Sequence, residues 1–115
     1  MEFSRRPEFE KEFRHLLRKY RTLEDDLELL KKYLENLPRG YDPAVFRITG
    51  LDIETEIYKV KHFRCRAMKN KGSRSGIRVV YALFPLEPKI EFVEIYYKEK
   101  DDIDCDRERI SKNYK

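Results

Sequence analysis

The chain has 115 residues, 42% of them charged, with a formal net charge of +4. That length supports one modest core and leaves no room for a second domain of ordinary size, so residues 1–115 are expected to form a single unit. No apolar run approaches the roughly 20 residues of a membrane span, and the opening Met-Glu-Phe-Ser-Arg-Arg lacks the apolar stretch of a signal peptide. Cys65 and Cys105 share no spacing suited to a disulfide framework or a zinc site. A cytoplasmic protein with two free thiols, no metal, no cofactor and no membrane association is expected.

From Pro7 to Tyr20 the apolar residues Phe9, Phe13, Leu16, Leu17 and Tyr20 recur at helical spacing, which predicts an amphipathic helix capped by Ser4 with Pro7 in its first turn. A second helix is predicted to begin at Thr22, whose side chain would cap it, with Asp25 and Asp26 at the positive end of its dipole. Leu23, Leu27, Leu30, Leu34 and Leu37 form its apolar face, and Pro38-Arg39-Gly40-Tyr41-Asp42-Pro43 ends it. Residues 1–37 therefore read as a helical hairpin. Residues 57–65, 76–84 and 89–97, rich in Val, Ile, Tyr and Phe, predict three strands, separated by the loop Lys69–Ser75 and the turn Pro85–Pro88. The tail 99–115 is highly charged, with Ile103, Ile110 and Tyr114 to bury, and reads as a short docking helix or a partly disordered segment. The fold class is α+β: a helical hairpin packed on a three- to four-stranded antiparallel sheet spanning 57–97, followed by a short C-terminal helix.

Charge is distributed unevenly along this framework. Between Ile57 and Leu86 lie eight basic residues, Lys59, Lys61, Arg64, Arg66, Lys69, Lys71, Arg74 and Arg78, and no acidic one. Subtracting that +8 from the net +4 leaves the other 85 residues at −4. A basic block threaded with Tyr58, His62, Phe63 and Tyr81 suits a polyanion held by its phosphates, so nucleic acid is the first partner to consider. The alternative is a solvated face that keeps the protein soluble.

Alternation along a strand points Lys59 and Lys61 to one face and Tyr58, Val60 and His62 to the other. Arg78 stands alone among Ile77, Val79, Val80 and Tyr81, where a guanidinium can make a bidentate contact to phosphate. Its plainer alternative is an Arg whose stem covers core while its head reaches solvent. Tyr96 and Tyr97 offer rings for base stacking, or ordinary packing, and Lys98 offers a charge for a phosphate. His62 is the candidate proton carrier of the basic segment, imidazole being the side chain that changes charge near neutral pH. The carboxylates cluster away from these strands, which favours a mechanism without metal ions.

Several local patterns, taken in order, resemble the RelE/ParE toxin superfamily. Glu2-Phe3-Ser4 followed by Phe9-Glu10-Lys11-Glu12-Phe13 is similar to that family's opening strand and first helix. Ile48-Thr49-Gly50-Leu51 and Tyr58-Lys59-Val60-Lys61 resemble its first long strand and the segment before it, and Gly76-Ile77-Arg78-Val79-Val80-Tyr81 resembles its arginine strand. The resemblance spans roughly residues 2–98 and implies a type II toxin: a ribosome-dependent, metal-independent endoribonuclease that cleaves messenger RNA and is neutralised by a cognate antitoxin. Alternatively it implies an inhibitor of DNA gyrase, or a relative that binds RNA without cutting it. It also implies roles. Lys59, Lys61, Arg78 and Lys98 would be catalytic, and His62, Arg64, Arg66, Lys69, Lys71, Arg74, Tyr96 and Tyr97 would bind RNA. The long basic loop from His62 to Ser75 departs from the family's pattern.

Overall fold

The computed structural model describes residues 1–68, 75–98 and 103–115. In chain order the elements are β1 (Glu2–Arg5), α1 (Pro7–Leu17), α2 (Leu23–Asn36), β2 (Val45–Arg47), β3 (Glu56–Val60), β4 (Ile77–Phe84), β5 (Lys89–Tyr97) and α3 (Arg107–Asn113). The predicted RNA-binding residues Lys69, Lys71 and Arg74 lie outside the described residues.

The architecture is α+β, as expected, but the sheet is larger than the one read from sequence. It has five strands in the order β1-β5-β4-β3-β2. β2 through β5 are antiparallel neighbours, whereas β1 runs parallel to β5, pairing Glu2 with Lys89 and Arg5 with Phe92. The sheet is therefore mixed. Its two edge strands are too short to carry a period of their own, and partners remote in sequence stabilise them. β3 also stops at Val60 rather than at residue 65. There the N–H groups of Lys61 and His62 both donate to the Ala44 carbonyl, at 2.7 and 3.2 Å, and the chain leaves the sheet. Phe63 and Cys65 are buried as loop residues, with the Ser75 hydroxyl donating to the Phe63 carbonyl at 2.6 Å.

The helical hairpin covers one face. Pro7 opens α1 with its fixed φ, Glu8 and Glu10 lie at the positive end of the dipole, and Arg14 and His15 lie at the other end. Phe9 and Phe13 are buried, and the Phe9 ring packs 5.5 Å from that of Phe92 on β5. Arg5 ties the hairpin to β1: it pairs with Glu10 and Glu24 and lies 4.6 Å from the Phe13 ring centre. Two capping expectations fail for identifiable reasons. Ser4 belongs to β1, so Arg6 precedes the helix. Thr22 does occupy the cap position of α2, yet its hydroxyl donates to the Asp26 carboxylate at 2.7 Å and accepts from the Ala67 N–H at 2.8 Å, which joins the helix to the loop after β3.

The opposite face carries a second core of Ile48, Leu51, Ile57, Val80, Ala82, Val93, Cys105 and Ile110. The charged tail thus resolves into a docking helix. A register shift between Val80 and Tyr81 leaves Val93 as an extra residue on β5, a bulge that brings Val93 and Glu94 to the same side. Buried Glu94 accepts from the Asp106 N–H at 3.0 Å and pairs with Arg109, while Ile110 is fully buried. Asp106 caps α3 by accepting from the Arg109 N–H at 3.0 Å.

Two substitutions test this construction. Gly40 has φ +61°, and a Cβ there would stand 2.4 Å from the Val45 Cβ, so Gly40→Ala should lower stability by about 1–3 kcal/mol in urea denaturation. Ile110→Ala, which leaves a cavity between α3 and the sheet, should cost about 2–5 kcal/mol in the same assay, whereas a tail that merely lies on the surface would cost nothing.

Candidate nucleic-acid interface

Tyr58 and Val60 of β3, and Val79 and Tyr81 of β4, belong to the core under the helices. Alternation therefore turns Lys59 and Arg78 to the other face. Lys61 follows the last β3–β4 pair, Val60 with Val79, and is exposed where the chain turns out of the sheet, next to the strand end that carries Arg78. On the other side of Arg78 stands Tyr96 of β5. The Lys98 N–H continues this ladder by donating to the Gly76 carbonyl at 2.8 Å, and alternation puts Lys98 on the face of Tyr96. Arg78, Tyr96 and Lys98 thus share one end of the sheet, on the face that α1 and α2 leave uncovered, with Lys61 at the turn beside it.

Lys59 shares that face but is already engaged. Its side chain is 13% exposed, and its ammonium donates to Asp104 Oδ1 at 2.6 Å. The same carboxylate oxygen accepts from the Cys105 N–H at 2.7 Å and from the Tyr96 hydroxyl at 3.3 Å. The hydrogen bond from Lys59, supported by those of Cys105 and Tyr96, holds the Asp104 carboxyl at about 2. Burial, with the Asp104 charge adding to it, pushes the Tyr96 phenol upward and raises the Cys105 thiol to about 11. Burial likewise raises the Cys65 thiol, so both cysteines are free, protonated and structural.

The remaining predicted residues are placed elsewhere. His62 and Arg64 line an apolar groove of about 220 Å³ on the helix side, together with Leu29, Leu30 and Tyr33. Arg66 pairs with Asp25 at 3.6 Å and with buried Asp26 at 3.3 Å, neutralising an acid in the core, so it is committed to holding the loop against α2. Tyr97 packs against Tyr20 with ring centres 6.3 Å apart and closes over Gly76, so it is part of the helix-side core. Sequence reasoning missed Asp104, which lies 45 residues from Lys59 in a tail read only as charged. No local spacing marks such a contact. Among the described residues, no group of three His, Cys, Asp or Glu side chains is arranged to hold a metal ion, and no helix is long and apolar enough to cross a membrane.

No protein-family model and no curated sequence matches the chain. Its structure is similar to that of a chain in the crystal structure of the archaeal RelE–RelB complex from Pyrococcus horikoshii OT3, with a TM-score of 0.58 and 12% identity. The similarity covers 86% of this chain and 96% of that one. The five-stranded sheet, the hairpin on one face and the short helix on the other thus constitute a RelE-like α+β fold.

Proposed function

We propose that the protein is the toxin of a toxin–antitoxin pair, a cytoplasmic endoribonuclease that cuts messenger RNA on the ribosome. The observation that supports this proposal is the placement of Arg78, Tyr96 and Lys98 on one face at one end of a RelE-like sheet, with Lys61 at the turn beside it. Three cations and one ring suit a scissile phosphate and a neighbouring base. In the proposed reaction the 2′-hydroxyl gives up its proton to solvent and attacks the adjacent phosphorus, and the bond to the 5′-oxygen breaks, leaving a cyclic phosphate and, once protonated, a free 5′-hydroxyl. Arg78 directs two N–H donors at the non-bridging oxygens as their charge grows, with Lys61 beside it, and Lys98 delivers the proton to the departing oxygen. Cationic side chains supply the charge neutralisation, so the reaction is metal-independent. The RelE of Pyrococcus horikoshii OT3 is found with RelB, which supports a cognate antitoxin as the partner of this chain.

Primer extension on messenger RNA from a translation reaction tests the proposal. The wild-type protein should cut within codons, and Arg78→Ala should lower cleavage by about 100-fold or more without shifting the thermal unfolding midpoint appreciably. Intact messenger with folded wild-type protein would overturn the nuclease assignment. Double-strand breaks in DNA with messenger untouched would transfer it to gyrase.

A further inference from the structure

The end of the sheet that carries Arg78 has a second side. Tyr96 and Tyr97 are consecutive, so their rings stand on opposite faces, Tyr96 beside Arg78 and Tyr97 under the helices. On the helix side Tyr97 lines an open cleft of about 280 Å³, together with His15, Leu16, Lys19 and Tyr20 from the end of α1 and the turn after it. The rings of Tyr20 and Tyr97 are tilted by 45° and give the cleft an aromatic floor. Lys19 is exposed at its rim, with its ammonium 5.5 Å from the Tyr20 ring centre.

The cleft opens within a second basic block. From Phe13 to Leu23 the chain carries Arg14, Arg18, Lys19 and Arg21, with His15 among them, and no acidic residue. All five side chains are exposed, and among the described residues only Arg14 has a carboxylate in ion-pair contact, that of Glu10 at 3.7 Å. The negative end of the helix dipole accounts for Arg14 and His15 in the last turn of α1 and for Arg18 at its cap, whereas Lys19 and Arg21 lie past it. Aromatic rings with exposed cations beside them are the elements of a site for single-stranded nucleic acid, in which bases stack and phosphates are neutralised.

Building on the assignment of an RNA substrate at Arg78, we propose that this cleft is a subsite for a nucleotide flanking the scissile one. The strand leaves Arg78 past Lys98, rounds the end of β4 and β5, and seats a base against Tyr97 while Lys19 takes its phosphate. An RNA long enough to reach round the sheet end thus gains contacts that a short one lacks.

Fluorescence anisotropy with a labelled single-stranded RNA 3-mer and 10-mer tests this assignment. Lys19→Ala changes an exposed side chain and should bind the 10-mer about five-fold more weakly, reduce the slope of log affinity against log salt by about 0.7 and leave the 3-mer unaffected. Lys32→Ala, which removes one exposed charge from α2, should bind both RNAs as wild type does. If Lys19→Ala weakens the 10-mer no more than Lys32→Ala does, while Arg78→Ala weakens both RNAs, the subsite is overturned and the RNA substrate stands. If wild-type protein binds neither RNA, both fall.

Discussion

β4 is apolar on both faces. Val79, Tyr81 and Leu83 lie under the helices while Val80 and Ala82 lie under α3, so this strand is the one element that both cores share. A strand buried on both sides has no surface on which to carry a polar group, and its backbone is paired with β5 from Ile77 to Phe84 and with β3 from Val79 to Leu83. Arg78 is the exception, and it stands near the strand's beginning, where α3 no longer covers the sheet. The position of the candidate site follows from that constraint: a charge can be placed on the central strand only where one core ends.

The same constraint explains how the basic segment is divided. Arg66 is drawn onto Asp26 because a carboxylate only 3% exposed requires a partner, and Lys59 is drawn onto Asp104 at the edge of the second core. Arg39, from the turn after α2, holds Glu56 through two hydrogen bonds of 2.9 and 3.0 Å and so pins the start of β3. A run of positive charge that looks uniform in the sequence therefore separates into structural ion pairs and a smaller set presented at the sheet end. The Arg39–Glu56 pair, whose Arg39 is exposed, adds little stability and mainly fixes position, whereas loss of Arg66 would leave the buried Asp26 without its cation.

The helices were legible because a 3.6-residue period needs only local sequence, and β4 and β5 because β-branched and aromatic runs of eight or nine residues have few other uses. The face of β3 to which Lys59 points, opposite Tyr58 and Val60, was legible from alternation alone. What could not be read depends on tertiary partners. β2 exists because a longer neighbour accepts it, β1 was legible only through the resemblance of Glu2-Phe3-Ser4 to an opening strand, and Thr22 abandons its capping role because Ala67 offers a better-placed N–H. Arg64 and Tyr97 fall on the helix side through the turn after β3 and the parity of β5. Asp104 reaches the site only because Cys105 and Ile110 anchor its segment across the second face.

The pairing of Glu2 with Lys89 has a consequence for synthesis. The first element to leave the ribosome has no partner until the last strand follows it, an interval of roughly 4 to 17 seconds at about 5–20 residues per second. Throughout that interval the Phe9 and Phe13 stripe of α1 has no Phe92 to cover it. The nascent chain is therefore most vulnerable to aggregation, and most dependent on chaperones, while its helices are already formed and its sheet is not.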